Sequence, residues 1–272
     1  MSRVVVEKKY HLGEEREFTR DDGSTIILRR IVADKNFAGV NVGDIGGWIE
    51  NESNLSQIDN CWIYDDAIVC GNSRVEQKAA VHDNVYIDGK SIIGGRATIT
   101  DFANLFNTNA YGNCTISNFA NITNADIYDN AEIVENGFVE GYNNDHHIRI
   151  FGDSMIRDFA SIKGNDICIH DNVIVCGFAK IGSYVDILDD TTINDFVYIN
   201  GYSRSKMIRI YGDTVISGNI FINGYGDILD VGKLEGMMKF TGKIKINCDM
   251  EYNSYDKITD GRISQYMPED DD

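Results

Sequence analysis

Read in sixes from Cys61, the chain repeats one pattern: CWIYDD, AIVCGN, SRVEQK, AAVHDN, VYIDGK, SIIGGR, ATITDF. The third place holds Ile63, Val69, Val75, Val81, Ile87, Ile93 and Ile99. The first holds Cys61, Ala67, Ser73, Ala79, Val85, Ser91 and Ala97. The fifth and sixth places are mostly Asp, Asn, Gly or Lys. A flat strand of three residues points its central aliphatic side chain inward, the small residue follows where a corner leaves little room, and the polar pair turns the chain. Three such sides close a triangular coil of about 18 residues. One coil cannot bury its own face, so many must stack. The pattern predicts an all-β protein in which residues 61–230 form a left-handed parallel β-helix of about nine triangular coils.

A second series fixes the coil length. Phe102, Phe119, Phe138, Phe159, Phe178 and Phe196 are separated by 17, 19, 21, 19 and 18 residues, four of them within Ile-x-[Asp/Asn]-Phe-[Ala/Val]. One Phe per coil at one corner predicts a stack of rings. A longer repeat relates 134–153 to 193–213: each carries Gly-Tyr, five polar residues, then Ile-Arg-Ile-[Phe/Tyr]-Gly-Asp. The five residues at 143–147 and 203–207 break the hexads and are expected to project as loops from equivalent corners.

The ends lack the hexad. Segment 15–33 reads as a hairpin with an Asp-Asp-Gly turn, and 1–60 is assigned as an N-terminal β cap, because an open first coil exposes core and strand edges. Residues 231–272 are read as a C-terminal extension of one or two strands and an acidic tail, able to cap the last coil or hold a partner subunit.

Composition fits this fold. There are 26 glycines and one proline, Pro268, and Gly, Asn and Asp tolerate the left-handed backbone that tight corners need. No run of apolar residues is long enough to span a membrane, and no apolar signal stretch precedes the first charges, so a cytoplasmic protein is expected. The net charge of −18 argues against direct nucleic-acid binding, which needs a Lys/Arg surface. It suits a basic protein partner or simple solubility. The six cysteines form no CxxC pair. They read as reduced, buried small hydrophobes, with Cys61 and Cys114 on inward places, rather than as a disulfide framework or zinc site.

Segment 18–72 carries Leu28-Arg29-Arg30, Gly46-Gly47-Trp48-Ile49, Asn54-Leu55-Ser56 and Cys61-Trp62-Ile63-Tyr64-Asp65. In these elements it resembles the N-terminal region of the YdcK-like family, bacterial and phage hexapeptide-repeat left-handed β-helix proteins usually described as transferases. The resemblance spans roughly residues 10–230 and implies a β-helix behind an N-terminal module. The transferase activity it implies rests on fold analogy.

Three functions are open. In acyltransferases of similar fold a loop His acts as general base toward an amine or hydroxyl. Asp145, His146 and His147 in the 143–147 loop fit that role, with acyl-CoA as cofactor in that case alone, although the 203–207 loop has no His. His82 and His170 follow an aliphatic place and point outward, and His11 lies in the cap. Together they do not reproduce the His spacing of β-helix carbonic anhydrases, so no metal is assigned. The carboxylates at hexad corners are far more numerous: Asp65, Asp66, Asp83, Asp88, Asp101, Asp129, Asp153, Asp158, Asp171, Asp189, Asp190, Asp195 and Asp213. Asp makes good corners, which explains its presence but not the scarcity of balancing Lys and Arg. Stacked at about 5 Å per coil, such carboxylates would form a ridge able to imitate a phosphate backbone. The favoured reading is therefore a non-enzymatic acidic solenoid that binds a protein partner through these corners, in the manner of a phage inhibitor directed at a basic, nucleic-acid-binding defence complex. The acyltransferase and a self-assembling structural scaffold are the alternatives. Flat coil faces suit a homodimer or homotrimer.

Overall fold

The computed structural model describes residues 8–143, 148–229, 232–247, 252–253, 256–259 and 262–265. The chain divides into two compact units, 1–119 and 120–272. The regular elements of the described residues are β-strands and one short 3-10 turn at Glu52–Asn54.

The first unit opens with β1 (Tyr10–Thr19) and β2 (Thr25–Ala33), an antiparallel hairpin whose register runs from Tyr10 opposite Ala33 to Thr19 opposite Thr25. Its tight turn places Gly23 at φ +82. β3 (Ile45–Ile49) pairs antiparallel with β2 and then parallel with Ile68–Val69, so it hands the chain from hairpin to solenoid. The glycines in β3 are required by contact. A Cβ on Gly46 would lie 2.5 Å from the Ile63 carbonyl oxygen, and one on Gly47 would lie 2.5 Å from that of Ala67. Behind β3, short parallel strands stack on three sides. Ala80–Val81 pairs with Trp62–Ile63 and with Thr98–Ile99, Tyr86–Asp88 pairs with Ile68–Val69 and with Asn104–Phe106, and Ile92–Ile93 pairs with Arg74–Val75 and with Asn109–Ala110.

The second unit uses the same three-sided stack. One side carries Phe138–Gly141, Ser161–Gly164, Lys180–Ile181 and Tyr198–Gly201. Another carries Ala125–Ile127, Ile148–Ile150, Ile167–Ile169, Val185–Ile187 and Ile208–Tyr211. The third carries Glu132–Ile133, Met155–Ile156, Ile174–Val175 and Thr192–Ile193. Parallel pairing continues past residue 230, where the hexad pattern fades: Gly232–Asn247 lies in unbroken register on Thr214–Leu229. Leu234, Met238 and Phe240 keep an inward apolar row there, although their spacing no longer advertises it.

The core is the aliphatic row the hexads specify. Ile63, Val69, Val75, Val81, Ile87, Ile93 and Ile99 are fully buried, as are Cys61, Ala67, Ala97 and Cys114 at the small places. Each buried aliphatic side chain contributes about 1.5–3 kcal/mol. The five described cysteines are free thiols.

One reading is corrected. Phe102 stacks on Phe119 at 5.3 Å in the first unit, and Phe159, Phe178 and Phe196 stack at 5.2 and 5.1 Å in the second. Phe138 is not at this corner. The corresponding corner of its coil holds Asn136, whose amide donates to the Asp158 carbonyl as that of Phe159 donates to Gly177. Phe138 begins the following strand, opposite Ser161. From corner to corner the steps are 17 residues (119 to 136) and 23 (136 to 159), the second lengthened by the five-residue insertion.

The corner carboxylates also gain a structural explanation. Asp65, Asp83 and Asp101 have φ between +50 and +62. The Asp65 carboxylate accepts the amide of Asp83, Asp83 that of Asp101, and Asp101 that of Asn118, at 3.0–3.1 Å. In the second unit Asp158 accepts from Gly177, Asp189 from Gly212 and Asp195 from Gly218, at 2.9–3.0 Å. Longer contacts link Asp129 to Gly152 and Asp171 to Asp189. A left-handed corner turns its amide away from the strand ladder, and the side chain of the preceding coil's corner satisfies it. The other named corners differ. Asp66 holds Arg30, Asp88 accepts from Tyr86 Oη and pairs with Arg20, and Asp153 and Asp190 accept from Asn130 and Asn172. Asp213 is exposed in a turn.

Candidate functional site

The five-residue insertions have a precise structural signature. Along one side of the second unit, paired strands are normally offset by 18 or 19 residues, as in Cys168 opposite Asp186 and Arg149 opposite Cys168. Across each insertion the offset is 23: Asp126 opposite Arg149, and Asp186 opposite Arg209. Both insertions fall before strands of this same side. The second insertion makes a small turn closed between Ser203 and Lys206. The first contains Asp145, His146 and His147, which lie outside the described residues.

This side presents two outward rows. The centre of each Ile-x-Ile-type strand points out, giving Asp126, Arg149, Cys168, Asp186 and Arg209 in sequence up the stack. The residue after each strand gives Tyr128, Phe151 and His170, whose rings stack in parallel at 4.7 and 4.9 Å. Arg204 and Met207 of the 203–207 loop complete a cleft of about 670 Å³, lined also by Asp126, Arg149, Asp166, Cys168, His170 and Asp186. Arg204 Nε donates to Asp166 Oδ2 at 2.7 Å, which ties the loop to the coil below.

His170 lines the cleft between two carboxylates. Its imidazole is only partly exposed. Nδ1 lies 2.9 Å from Asp171 Oδ2, and Nε2 lies 3.5 Å from Asp186 Oδ1. A carboxylate can only accept, so a ring nitrogen that carries a proton donates to the carboxylate it faces, Asp171 at Nδ1 and Asp186 at Nε2. Asp186 Oδ1 is buried and has no hydrogen-bond partner among the described residues. Burial pushes the neighbouring Cys168 thiol up to about 11, with Asp186 and Asp171 adding to the rise and Arg149 opposing it. By itself this thiol is protonated near neutrality and is a poor nucleophile.

The other described histidines sit elsewhere. His11 Nδ1 pairs with Asp34 at 2.6 Å in the cap, and His82 stacks on Tyr64 at 4.2 Å. His170 was expected to face outward, and it does, but sequence alone does not single out its neighbours Asp126, Arg149, Cys168, Asp186 and Arg204. The readable sign was the column of strand triplets ADI, IRI, ICI, VDI and IRI. Once the insertions are removed, their central residues fall in one line.

No family model matches the chain. A curated relative, the uncharacterized acetyltransferase YdcK of Escherichia coli (strain K12), is 32% identical over 218 residues, a match covering 66% of this chain and 66% of that protein. The N-terminal elements, the hexads and the three-sided parallel stack agree with that match. The chain belongs to the YdcK-like family. The match extends to about two thirds of the relative's length. Among the described residues, no helix is long and apolar enough to cross a membrane.

Proposed function

We propose that the chain is an acyltransferase, with acetyl transfer as the first activity to test, and that its reaction takes place in the cleft around His170. The observation that carries this reading is the His170 imidazole, held between Asp171 and Asp186 in the cleft beneath the 203–207 loop. The YdcK relative's name supports the reaction class. In this mechanism an ammonium or hydroxyl acceptor donates to Asp186 and loses its proton to His170 Nε2. The freed lone pair attacks the acyl carbonyl, the C–S bond breaks, and the leaving thiolate takes the proton held on His170, while an amine acceptor gives its second proton to solvent. Asp171 holds the imidazole and stabilises the cation formed on it. Arg149 supplies positive charge for a phosphate-bearing donor such as acyl-CoA. A positioned base of this kind is worth about 10²–10⁴ in rate. The direct test is release of free CoA from acetyl-CoA in the presence of panels of amines and of hydroxyl compounds. Turnover that appears with one acceptor class and is lost in H170A supports the reading. No turnover with either class contradicts it.

The acidic partner-binding reading keeps a narrower basis, the net charge of −18 and the stacked corner carboxylates Asp65, Asp83 and Asp101. Those carboxylates already accept backbone amides, which weakens the need for a partner to explain them. A pull-down on wild type and on a charge-neutral D65N/D83N/D101N variant tests it: a basic nucleic-acid-binding protein retained by the first and lost by the second supports it, and equal retention contradicts it. Assembly into a homodimer or homotrimer belongs to the same set of proposals, and light scattering reads it directly.

A further inference from the structure

We propose that Cys168 Sγ, His170 Nε2 and Asp186 Oδ1 form a binding site for one thiophilic divalent metal ion, zinc being the best match, with the fourth coordination position open to the cleft. The three residues each offer one ligand atom, all within 4.8 Å of one another. Cys168 and Asp186 are register neighbours on paired strands, and His170 follows the Cys168 strand by one turn position. Sulfur, nitrogen and oxygen from a rigid sheet make a donor set that suits zinc and excludes magnesium or calcium, which need more oxygens.

Two further observations point to an ion. Nε2 and Asp186 Oδ1 stand 3.5 Å apart. A zinc ion bound to both at ordinary lengths in tetrahedral geometry sets them about 3.4 Å apart. Asp186 Oδ1 faces Nε2 and is buried with no hydrogen-bond partner among the described residues. Asp171 on Nδ1 is also the carboxylate that orients a metal-bound histidine and makes it more basic. Binding deprotonates the Cys168 thiol, whose proton leaves to solvent. The thiolate and the Asp186 carboxylate then balance the two charges of the ion.

This inference does not rest on acyl transfer. Where both hold, they share Nε2: an ion there removes the lone pair that takes the acceptor proton, so zinc switches transfer off. The test uses the full chain, purified free of metal and titrated with zinc and, separately, with cobalt(II). The expected result is one equivalent of each bound. Cobalt should give a thiolate-to-metal charge-transfer band with the intense visible absorption of a tetrahedral site. C168S should abolish the charge-transfer band and weaken binding about tenfold or more, and H170Q should weaken binding similarly, with circular dichroism unchanged. Absence of binding at micromolar metal overturns the proposal. So does binding that C168S and H170Q leave intact, which locates the ion elsewhere. Both outcomes are read from bound metal alone, so an inactive preparation still decides the metal question.

Discussion

At the scale of single residues, the corner aspartates do two jobs that other side chains do separately. They accept a left-handed φ, and they supply the acceptor for an amide that the corner turns out of the ladder. Replacing Asp83 (φ +57) by Ala removes both. The expected cost is about 1–2 kcal/mol for the backbone and about 0.5–1.5 kcal/mol for the Asp101 amide bond. D83N should recover most of it, because Asn118 already fills an equivalent corner at φ +59. Urea unfolding of the two variants reads the difference; equal destabilisation would contradict the assignment. Asp158 extends this to pH. The Gly177 amide holds its carboxyl below the ordinary value of 3.8. A group depressed in the folded state stabilises the fold above its unfolded pKa, and that contribution disappears as pH falls through the folded value. The stability gap between wild type and D158N should therefore be constant above about pH 5 and shift only below about pH 4. A gap that changed between pH 6 and 8 would point to another group.

At the scale of elements, coils were legible and the cap was legible in outline, for different reasons. The hexads expose their own geometry because the third place of each must be aliphatic for a strand of two or three residues to fill a narrow core. Ile167, Ile169, Val185 and Ile187 are all buried for that reason. Ile169→Ala should cost about 2–5 kcal/mol, visible as a lower thermal midpoint. The Phe ladder was legible too, since Phe159, Phe178 and Phe196 repeat at coil length. Phe178, between two parallel rings, should lose about 1–3 kcal/mol on F178A, while F138A should leave the ladder untouched; the reverse order would contradict the corner assignment. Past residue 230 the sequence showed one or two strands but not that they continue the parallel stack. Long continuous pairing of Thr214–Leu229 with Gly232–Asn247 tolerates a looser inward pattern than short strands between tight corners do.

At the scale of the whole molecule, the sequence pointed to charge at the corners, whereas the described chemistry gathers on one side. Counting Asp residues could not separate carboxylates that close a backbone ladder from those that face a cleft. Asp171 and Asp186 stand 15 positions apart in the chain and meet at one imidazole only because a coil is about 18 residues round and His170 stands at its corner. The insertions hid this arrangement, since a 23-residue offset displaces Asp126 and Arg209 from any fixed period. The central claim is that His170 is the base of an acyl-transfer site. The most direct measurement is kcat/KM for acetyl transfer from acetyl-CoA in H170Q, beside the double variant H146A/H147A. The account predicts a fall of about 10²–10⁴ in H170Q and near-wild-type turnover in the double variant. Full activity in H170Q, with activity lost in H146A/H147A, would contradict it.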